Sequence, residues 1–403
     1  MDNKEQLRKE AIRRYLSGEP PKSICKSLKK SKRWLFKWLE RYQKVNSDWF
    51  KDQPKTPYLI VNKTDKDVEN LVISARERLE DIKYAQIGAN AIQWEIKKLS
   101  IGPPPIWTIN RILKRNGLVS KKRLYEPKGK GYPEIVVFPD INTLHQVDLV
   151  GPRYIKGDGH FYSLNTIDVY SHRVKLNPTR SKRDEDVAHG LISIWKILGI
   201  PEYIQFDNEL SFYGSPKHPH SLGLILRLCL LLGIQPIFIP QQEPWRNGVI
   251  EKFNETYDKR FFRTQVFRDF LHLKEESEVF ENFHNESHRY SVLRGETPHE
   301  FLKREGSKLF LLPEEFELPK KPIPIEDGAI HLVRFIRKDR ILNIFGEHFQ
   351  MPEEVVYEYV VATILTEVHS LKVTCHGETV DFFEYRLPPE ISVEELAKEI
   401  EGS

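Results

Sequence analysis

Cysteine is scarce in this chain of 403 residues, which contains only Cys25, Cys229 and Cys375. These three residues lie far apart, so neither a disulfide framework nor a zinc module of paired Cys and His is indicated. His218 and His220 stand close together and are interpreted as loop residues. A reducing, cytoplasmic setting is therefore expected.

Long hydrophobic runs are also missing. The charged start of the sequence has no apolar signal region, and the most apolar stretch, 222–239, is interrupted by Arg227, Gly233, Gln235 and Pro236. That stretch indicates a buried helix followed by a strand, and no membrane association is expected. The sequence also lacks internal repeats, heptads and low-complexity tracts.

The net charge of +4 conceals an uneven distribution. Residues 1–130 contain 31 Lys and Arg against 15 Asp and Glu, a net of +16, whereas the remaining residues contain 31 against 43, a net of −12. A basic segment of this kind favours binding to a polyanion, and a merely solvated basic surface is the alternative. The acidic remainder is compatible with metal chemistry and protein contacts.

Residues 1–50 are predicted to form three helices, the third beginning after a capping Ser31 and running through Tyr42. Trp34 and Trp38 share one face of that helix and are interpreted as core residues. The pattern resembles a DNA-binding helix-turn-helix, and a plain three-helix packing module is the alternative. The candidate DNA contacts are Lys32, Arg33, Lys37 and Arg41.

A second helical module is predicted over residues 58–125, with helices at 67–79, 89–99 and 104–116. Its last helix begins at a proline pair and stops at Gly117, and it resembles another recognition helix. A basic linker follows this helix. It is interpreted either as a linker exposed to solvent or as an arm that contacts DNA along its length. The candidate DNA contacts are Arg111, Lys114 and Arg115 in the helix and Lys121, Lys122 and Arg123 in the linker.

Three carboxylates stand out in the acidic part of the chain. Asp148 and Asp207 each end a short apolar run typical of a strand, and Glu251 lies early in an amphipathic helix opened by Asn247-Gly248. Singly, each has an ordinary explanation as a turn, cap or macrodipole residue. If the three converge, their mutual repulsion is relieved by a divalent cation, which makes them candidate metal ligands.

Four motifs follow one another in this part of the chain: Asp148 ending the first strand, Asp207-Asn208 after a later one, residues 247–256 before a helix, and residues 288–300. In this order they resemble the Asp-Asp-Glu core of retroviral integrases and of bacterial insertion-sequence transposases, closely over residues 141–305. The resemblance implies a ribonuclease H-like α/β core with a mixed sheet over residues 141–310. It also implies catalysis by Asp148, Asp207 and Glu251 with Mg²⁺, or Mn²⁺ as a substitute.

Two features depart from the family pattern. Family members commonly separate the second Asp from the Glu by 35 residues, which selects Glu243, whereas Glu251 follows 43 intervening residues. Glu251 is favoured because Glu243 precedes a proline, and such residues avoid helical geometry. Glu209 replaces a usual glycine, which puts the geometry of its turn in question. Lys252 is a further candidate DNA contact, and the added residues are assigned to a loop at 213–220.

The C-terminal region is predicted to begin with a proline-rich linker at 318–325. Alternating segments over residues 328–390 are typical of short strands and predict a small β-barrel domain, followed by a helix at 392–401. Bacterial relatives carry a similar module.

The resemblance implies a DNA transposase that binds element ends and performs metal-dependent cleavage and strand transfer. DNA, further copies of the same chain and an accessory ATPase that selects targets are the expected partners, in a nucleoid-associated setting. A domesticated DNA-binding regulator without catalysis and a ribonuclease H-like nuclease are the alternatives.

Overall fold

The computed structural model describes residues 3–44, 47–52, 64–119, 131–135, 139–214, 219–306, 309–320 and 323–388. The chain divides into two compact units, Met1–Asp65 and Lys66–Ser403. The predicted contacts Lys121, Lys122 and Arg123 and the predicted helix at 392–401 lie outside the described residues. Among the helices in these ranges, none is long and apolar enough to cross a membrane.

The described residues of the first unit form the helices α1 (Asn3–Leu16), α2 (Pro21–Ser27) and α3 (Lys32–Gln43). Ser31 caps α3 by accepting a hydrogen bond from the Trp34 amide at 3.2 Å, as predicted. The three helices bury a small core composed of Ala11, Ile12, Ile24, Cys25, Leu35, Trp38 and Leu39.

The second unit begins with another three-helix module, formed by α4 (Lys66–Asp81), α5 (Ala89–Lys98) and α6 (Ile106–Arg115). Apolar residues at helical spacing on α6, among them Ile109, Ile112 and Leu113, pack against α4 and α5. The opposite face of α6 is left exposed. The predicted third helix is thereby confirmed, with a start two residues later than expected.

A nine-stranded mixed sheet organises the rest of the second unit, in the order β11-β10-β9-β6-β5-β4-β1-β2-β3. The predicted α/β core is confirmed. Its strands are β1 (Leu144–Ile155), β2 (Gly159–Asp168), β3 (Val174–Thr179), β4 (Tyr203–Phe206), β5 (Gln235–Phe238), β6 (Ala329–Phe335), β9 (Tyr359–Leu365), β10 (Ser370–Cys375) and β11 (Glu378–Glu384), while β7 (Ile341–Ile344) and β8 (Glu347–Gln350) form a separate hairpin.

Helices cover both faces of the β1–β3 region. Because successive strand residues point to opposite faces, one strand contributes side chains to both layers. Leu164 of β2 packs into the core on the side of α7 and α9, whereas Phe161 and Ile167 pack towards α10 and α11. The helices are α7 (Asp184–Leu198), the short α8 (Leu210–Tyr213), α9 (Leu224–Leu231), α10 (Gly248–Arg260), α11 (Phe270–Ser287) and α12 (Pro298–Glu305).

The predicted separate β-barrel over residues 328–390 is not confirmed. Strand β6 pairs in parallel with β5, with Ile237 opposite His331 and Phe238 opposite Leu332, and β9–β11 continue the same sheet. Ile330 and Leu332 of β6 belong to the hydrophobic core that also contains Val147 of β1. The C-terminal strands therefore enlarge the core, because their apolar faces are buried against it.

The helical module of α4–α6 is docked onto α11 and the segment after it. Tyr84 is buried among Phe261, Phe280 and Phe283, with ring centroids 5.1 to 6.1 Å away. Gln86 donates a hydrogen bond to the Arg289 carbonyl at 3.0 Å and accepts one from its amide at 2.9 Å. Apolar and polar contacts together hold this module against the core.

Candidate active site

The first two predicted carboxylates lie on neighbouring parallel strands. Gln146 of β1 is in register with Gln205 of β4, so Asp148 and Asp207, each two residues further on, stand side by side. Neighbouring strands are about 4.8 Å apart. Asp207 directly follows the carboxyl edge of β4, whereas Asp148 lies inside β1, which continues to Ile155, and therefore does not end its strand as the sequence predicted. Both are half-buried.

Two glutamines tie helix α10 to this edge. Gln146 Oε1 accepts hydrogen bonds from the amides of Val249 and Ile250, both at 3.0 Å. Gln205 Nε2 donates to the Asn247 side chain at 3.1 Å. The first amides of a helix have no partner inside it, and here a strand side chain supplies one.

Asn247 has a different role from the one its position suggests. It occupies the N-cap of α10, yet its side chain does not cap the helix. Instead its Nδ2 donates to the Val147 carbonyl at 3.1 Å. Asn247 is therefore a bridge from the helix start to β1.

Glu251 lies in the first turn of α10 and is exposed. Glu243 is engaged elsewhere: its carboxylate pairs with Arg246 at 3.0 Å and accepts a hydrogen bond from the Tyr359 hydroxyl at 2.7 Å. Of the two glutamates weighed from the sequence, Glu251 is the one whose charge acts on Asp148, while Glu243 joins the C-terminal strands to the loop before α10.

Asp148 is the carboxylate whose electrostatics reflect the other two. Burial, followed by the charges of Asp207 and Glu251, raises the pKa of Asp148 to about 6. Burial also raises the pKa of Asp207 and of Glu251. In the described part of the chain, no three Asp, Glu, His or Cys side chains already surround a common metal position. The exposed Glu251 side chain would have to turn inward to complete one.

A chain of amides supports Asp148. Asn254, one turn after Glu251, donates to Asp148 Oδ2 at 2.5 Å and accepts from Asn165 at 2.7 Å. Asn165 stands directly opposite Asp148 on β2 and in turn accepts from Ser163 at 2.6 Å. This hydrogen bonding favours the ionised carboxylate and limits its rotation.

Glu209 does not disturb the turn after Asp207. Its φ of −67° is ordinary extended backbone, so no glycine is needed there. Its amide donates to Asp207 Oδ1 at 3.0 Å, and its carboxylate pairs with Lys182 at 2.7 Å. The substitution therefore keeps the turn and adds an ion pair beside it.

Arg334 of β6 contacts the turn that follows Asp207. It is buried, and it donates to Asn208 Oδ1 at 3.0 Å and to the Ile239 carbonyl at 3.2 Å. Burial lowers its pKa to about 10. Arg334 therefore connects the C-terminal strands to the residue that follows Asp207.

Asp168 is engaged in contacts that shape the local backbone. Its carboxylate is buried, accepts from the amides of Asn142 and Ser171, and contacts the Ser171 hydroxyl. It closes the turn after β2.

The candidate DNA contacts of the first unit lie on the outer face of α3. Lys32, Arg33 and Lys37 are exposed, and Arg41 is half-buried with its guanidinium 4.7 Å from the centre of the Trp38 ring. Trp38 itself is buried in the core, as predicted.

The candidates of α6 are all exposed but differ in their surroundings. Arg111 lies 5.2 Å from the ring centre of Trp107, which is 62% exposed. Arg115 is paired with Glu69 at 2.7 Å. Lys252 on α10 pairs with Glu255. Arg111 is thus better placed than Arg115 for contact with a partner.

Residues 2–47 match the family of homeodomain-like domains. This homeodomain-like domain covers the helices α1 to α3, so the predicted helix-turn-helix is supported for the first unit.

The chain is also similar to several integrase structures. The HTLV-2 integrase catalytic core domain in complex with magnesium is 15% identical with a TM-score of 0.29, covering 40% of this chain and 95% of that one. The BIV integrase catalytic core is 16% identical with a TM-score of 0.30, covering 41% and 97%. A simian T-cell lymphotropic virus intasome is 12% identical with a TM-score of 0.34, covering 73% and 95%. At these levels the likeness assigns no residue of this chain a role.

Proposed function

We propose that this protein is a DNA transposase that binds the ends of its element and catalyses metal-dependent DNA cleavage and strand transfer. The observation that carries the proposal is the β1–β4 register, which sets Asp148 beside Asp207 while the preceding glutamines hold the helix of Glu251 at the same edge. The homeodomain-like domain supports DNA as the substrate.

Mg²⁺, or Mn²⁺ in its place, is the proposed cofactor, held by Asp148, Asp207 and Glu251. The donor set fits, because hard divalent cations prefer carboxylate oxygens. The pKa of Asp148 is raised first by burial and then by the charges of Asp207 and Glu251, and a cation would relieve that repulsion. When bound, the metal would stabilise negative charge on the phosphodiester oxygens during in-line displacement.

The chain's own residues contribute alignment. Asn254 keeps Asp148 in one orientation, and Gln146 keeps the first turn of α10 against β1. In the first reaction, water attacks a phosphodiester and breaks its P–O3′ bond, which frees a 3′-hydroxyl. In the second, that hydroxyl attacks a target phosphodiester and displaces another 3′-oxygen. Each reaction is a direct displacement, so no covalent bond to the protein is needed.

The proposed partners follow from the two ends of a mobile element. Both ends must be held together before joining, so a dimer or larger assembly on DNA is proposed, and an accessory ATPase that selects the target remains part of the hypothesis. The exposed basic residues of α3 and α6 would provide DNA contacts in each protomer.

Strand joining tests the assignment. Purified protein is mixed with labelled element-end DNA, supercoiled target and Mg²⁺, and joined product is measured. Asp148→Asn, Asp207→Asn and Glu251→Gln are each expected to abolish joining while end binding persists, because ligation needs anionic oxygens. Glu243→Gln is the matched control and should still join. If Glu243→Gln failed to join DNA while Glu251→Gln remained active, the assignment of Glu251 as the third metal ligand would be contradicted.

A further inference from the structure

A groove runs between the second helical module and helix α10, with a volume of about 620 Å³. Arg76 of α4 and Asn110 of α6 line one wall, and Lys252, Thr256 and Arg260 of α10 line the other. Lys252 directly follows Glu251 in the sequence, so the wall formed by α10 begins one residue after the third proposed metal ligand. Asn110 belongs to the exposed face of α6, so the other end opens beside the second predicted recognition helix.

Cations outnumber anions along the groove. Lys252 and Lys259 both pair with the single carboxylate of Glu255. Arg76 pairs with Glu80 at 2.7 Å. The two lysines exceed Glu255 by one positive charge. Arg76 and Arg260 together exceed Glu80 by one as well.

Arg260 differs from the other cations that line the groove. In the described parts of the chain it makes no ion pair or side-chain hydrogen bond, although it is half-buried. Burial and the nearby charge of Arg76 lower its pKa, and Glu80 offsets part of that effect. His288 adds no charge at neutral pH, because burial and Arg260 lower its pKa to about 4. Arg76 and Arg260 line the same groove, and Arg76 also contacts Glu80 and the Ile87 carbonyl. An anion near both guanidinium groups would be held by charge-assisted hydrogen bonds.

The two walls are held at a fixed separation. Gln86, at the edge of the groove, makes hydrogen bonds to the backbone of Arg289 and to the His288 ring at 2.9 Å. Tyr84 is anchored in the aromatic core beneath. The groove is therefore part of the folded second unit.

We propose that this groove binds a backbone phosphate of DNA between Arg260 and Arg76, on the path from α6 to the metal site. A guanidinium presents a planar set of donors that matches phosphate oxygens. The proposal rests on the proposed function in one respect, since it takes DNA to be the substrate.

The test uses the full chain and a labelled DNA duplex of mixed sequence in EDTA, where no cleavage occurs. Affinity is measured over a range of KCl concentrations. Arg260→Gln should reduce the slope of log affinity against log salt by about 0.9, the value for one lost phosphate contact, and Arg260→Lys should restore most of it. Arg263→Gln is the matched control: Arg263 lies outside the groove lining and pairs with Asp258 at 2.6 Å, so the slope should not change.

Thr256→Asp keeps the proposal testable if Arg260→Gln does not fold, since it adds a negative charge to the same groove and should weaken DNA binding at low salt. Thermal unfolding confirms that each variant is folded. An unchanged slope in folded Arg260→Gln, together with undiminished binding by Thr256→Asp, would overturn the proposal.

Inorganic phosphate is titrated separately, to distinguish DNA from a small anion. If Arg260→Gln loses phosphate binding but keeps the full DNA slope, the groove is a small-anion site and the proposal fails. Strand joining is measured in parallel. Wild-type protein that shows the Arg260-dependent slope but never joins DNA would refute the transposase function and leave the groove intact.

Discussion

Replacing Gln146 by leucine should loosen the start of helix α10. The glutamine is buried, and its single side-chain oxygen satisfies two helix amides, those of Val249 and Ile250. Leucine has a comparable volume but no acceptor. Gln146→Leu therefore leaves two donors without a partner at the helix end that carries Glu251.

The size of the effect follows from burial. A buried donor that loses its partner costs about 1–3 kcal/mol, and Ile250 is fully buried whereas Val249 is half-buried and can be reached by water. The two losses together come to about 4 kcal/mol. Leucine returns about 1 kcal/mol through its buried apolar surface. The net cost is about 3 kcal/mol, or about a hundredfold in an opening equilibrium.

Hydrogen exchange measured by mass spectrometry on the first turn of α10 would detect this loss. Gln146→Leu should speed exchange there by about a hundredfold and greatly reduce strand joining, because Glu251 loses its alignment. Gln146→Glu is the control: it retains the acceptor, so exchange should stay slow. Slow exchange in Gln146→Leu, with normal joining, would refute the role of Gln146 as the tether of α10.

Three further predictions concern the second unit. Asp148→Asn should stabilise the metal-free protein by up to about 3 kcal/mol at pH 7. The folded pKa of Asp148 exceeds its unfolded value, so the wild type loses stability as pH rises from about 4 through 6; urea unfolding at several pH values should show the gain vanish below pH 4. Gly295→Ala should weaken docking of the helical module, because φ is +88° and a Cβ would lie 2.8 Å from Trp94 Nε1; faster proteolysis near the module would show this, and unchanged digestion would contradict it. Arg334→Met should leave Asn208 without its donor and reduce joining more than DNA binding; equal losses would argue against this role.

Much of the core could be predicted from local patterns. The apolar stretch 222–239 predicts a buried helix followed by a strand, and α9 and β5 lie within it, because the pattern of each segment reflects its own burial. The position of Glu251 in the first turn of a helix was likewise predicted, since a proline precludes a regular helix around Glu243. That the three carboxylates bind metal and catalyse joining stays a prediction.

Other features depend on pairings between distant residues. The contacts of Gln146 and Gln205 with the start of α10 depend on the strand register, which local periodicity does not contain. The sequence nevertheless contained a sign that these glutamines lie near the site. Each stands two residues before a candidate Asp, and residues two apart in an extended chain point to the same side. The join between β5 and β6 could not be predicted, since a short alternating strand has the same pattern in a separate barrel as at the edge of a larger sheet.

The shared sheet has a practical consequence for dissecting the protein. A fragment that ends near residue 310 would lack β6, leaving the hydrogen-bonding edge of β5 bare and the apolar surface around Phe238 open to water. Bare strand edges beside apolar surface promote aggregation. The C-terminal strands should therefore not fold as an independent domain that can be removed or replaced. Shortened versions that remain well behaved are expected to keep residues up to 388 and also the module of α4–α6, because its removal would expose Phe280 and Phe283 beneath Tyr84.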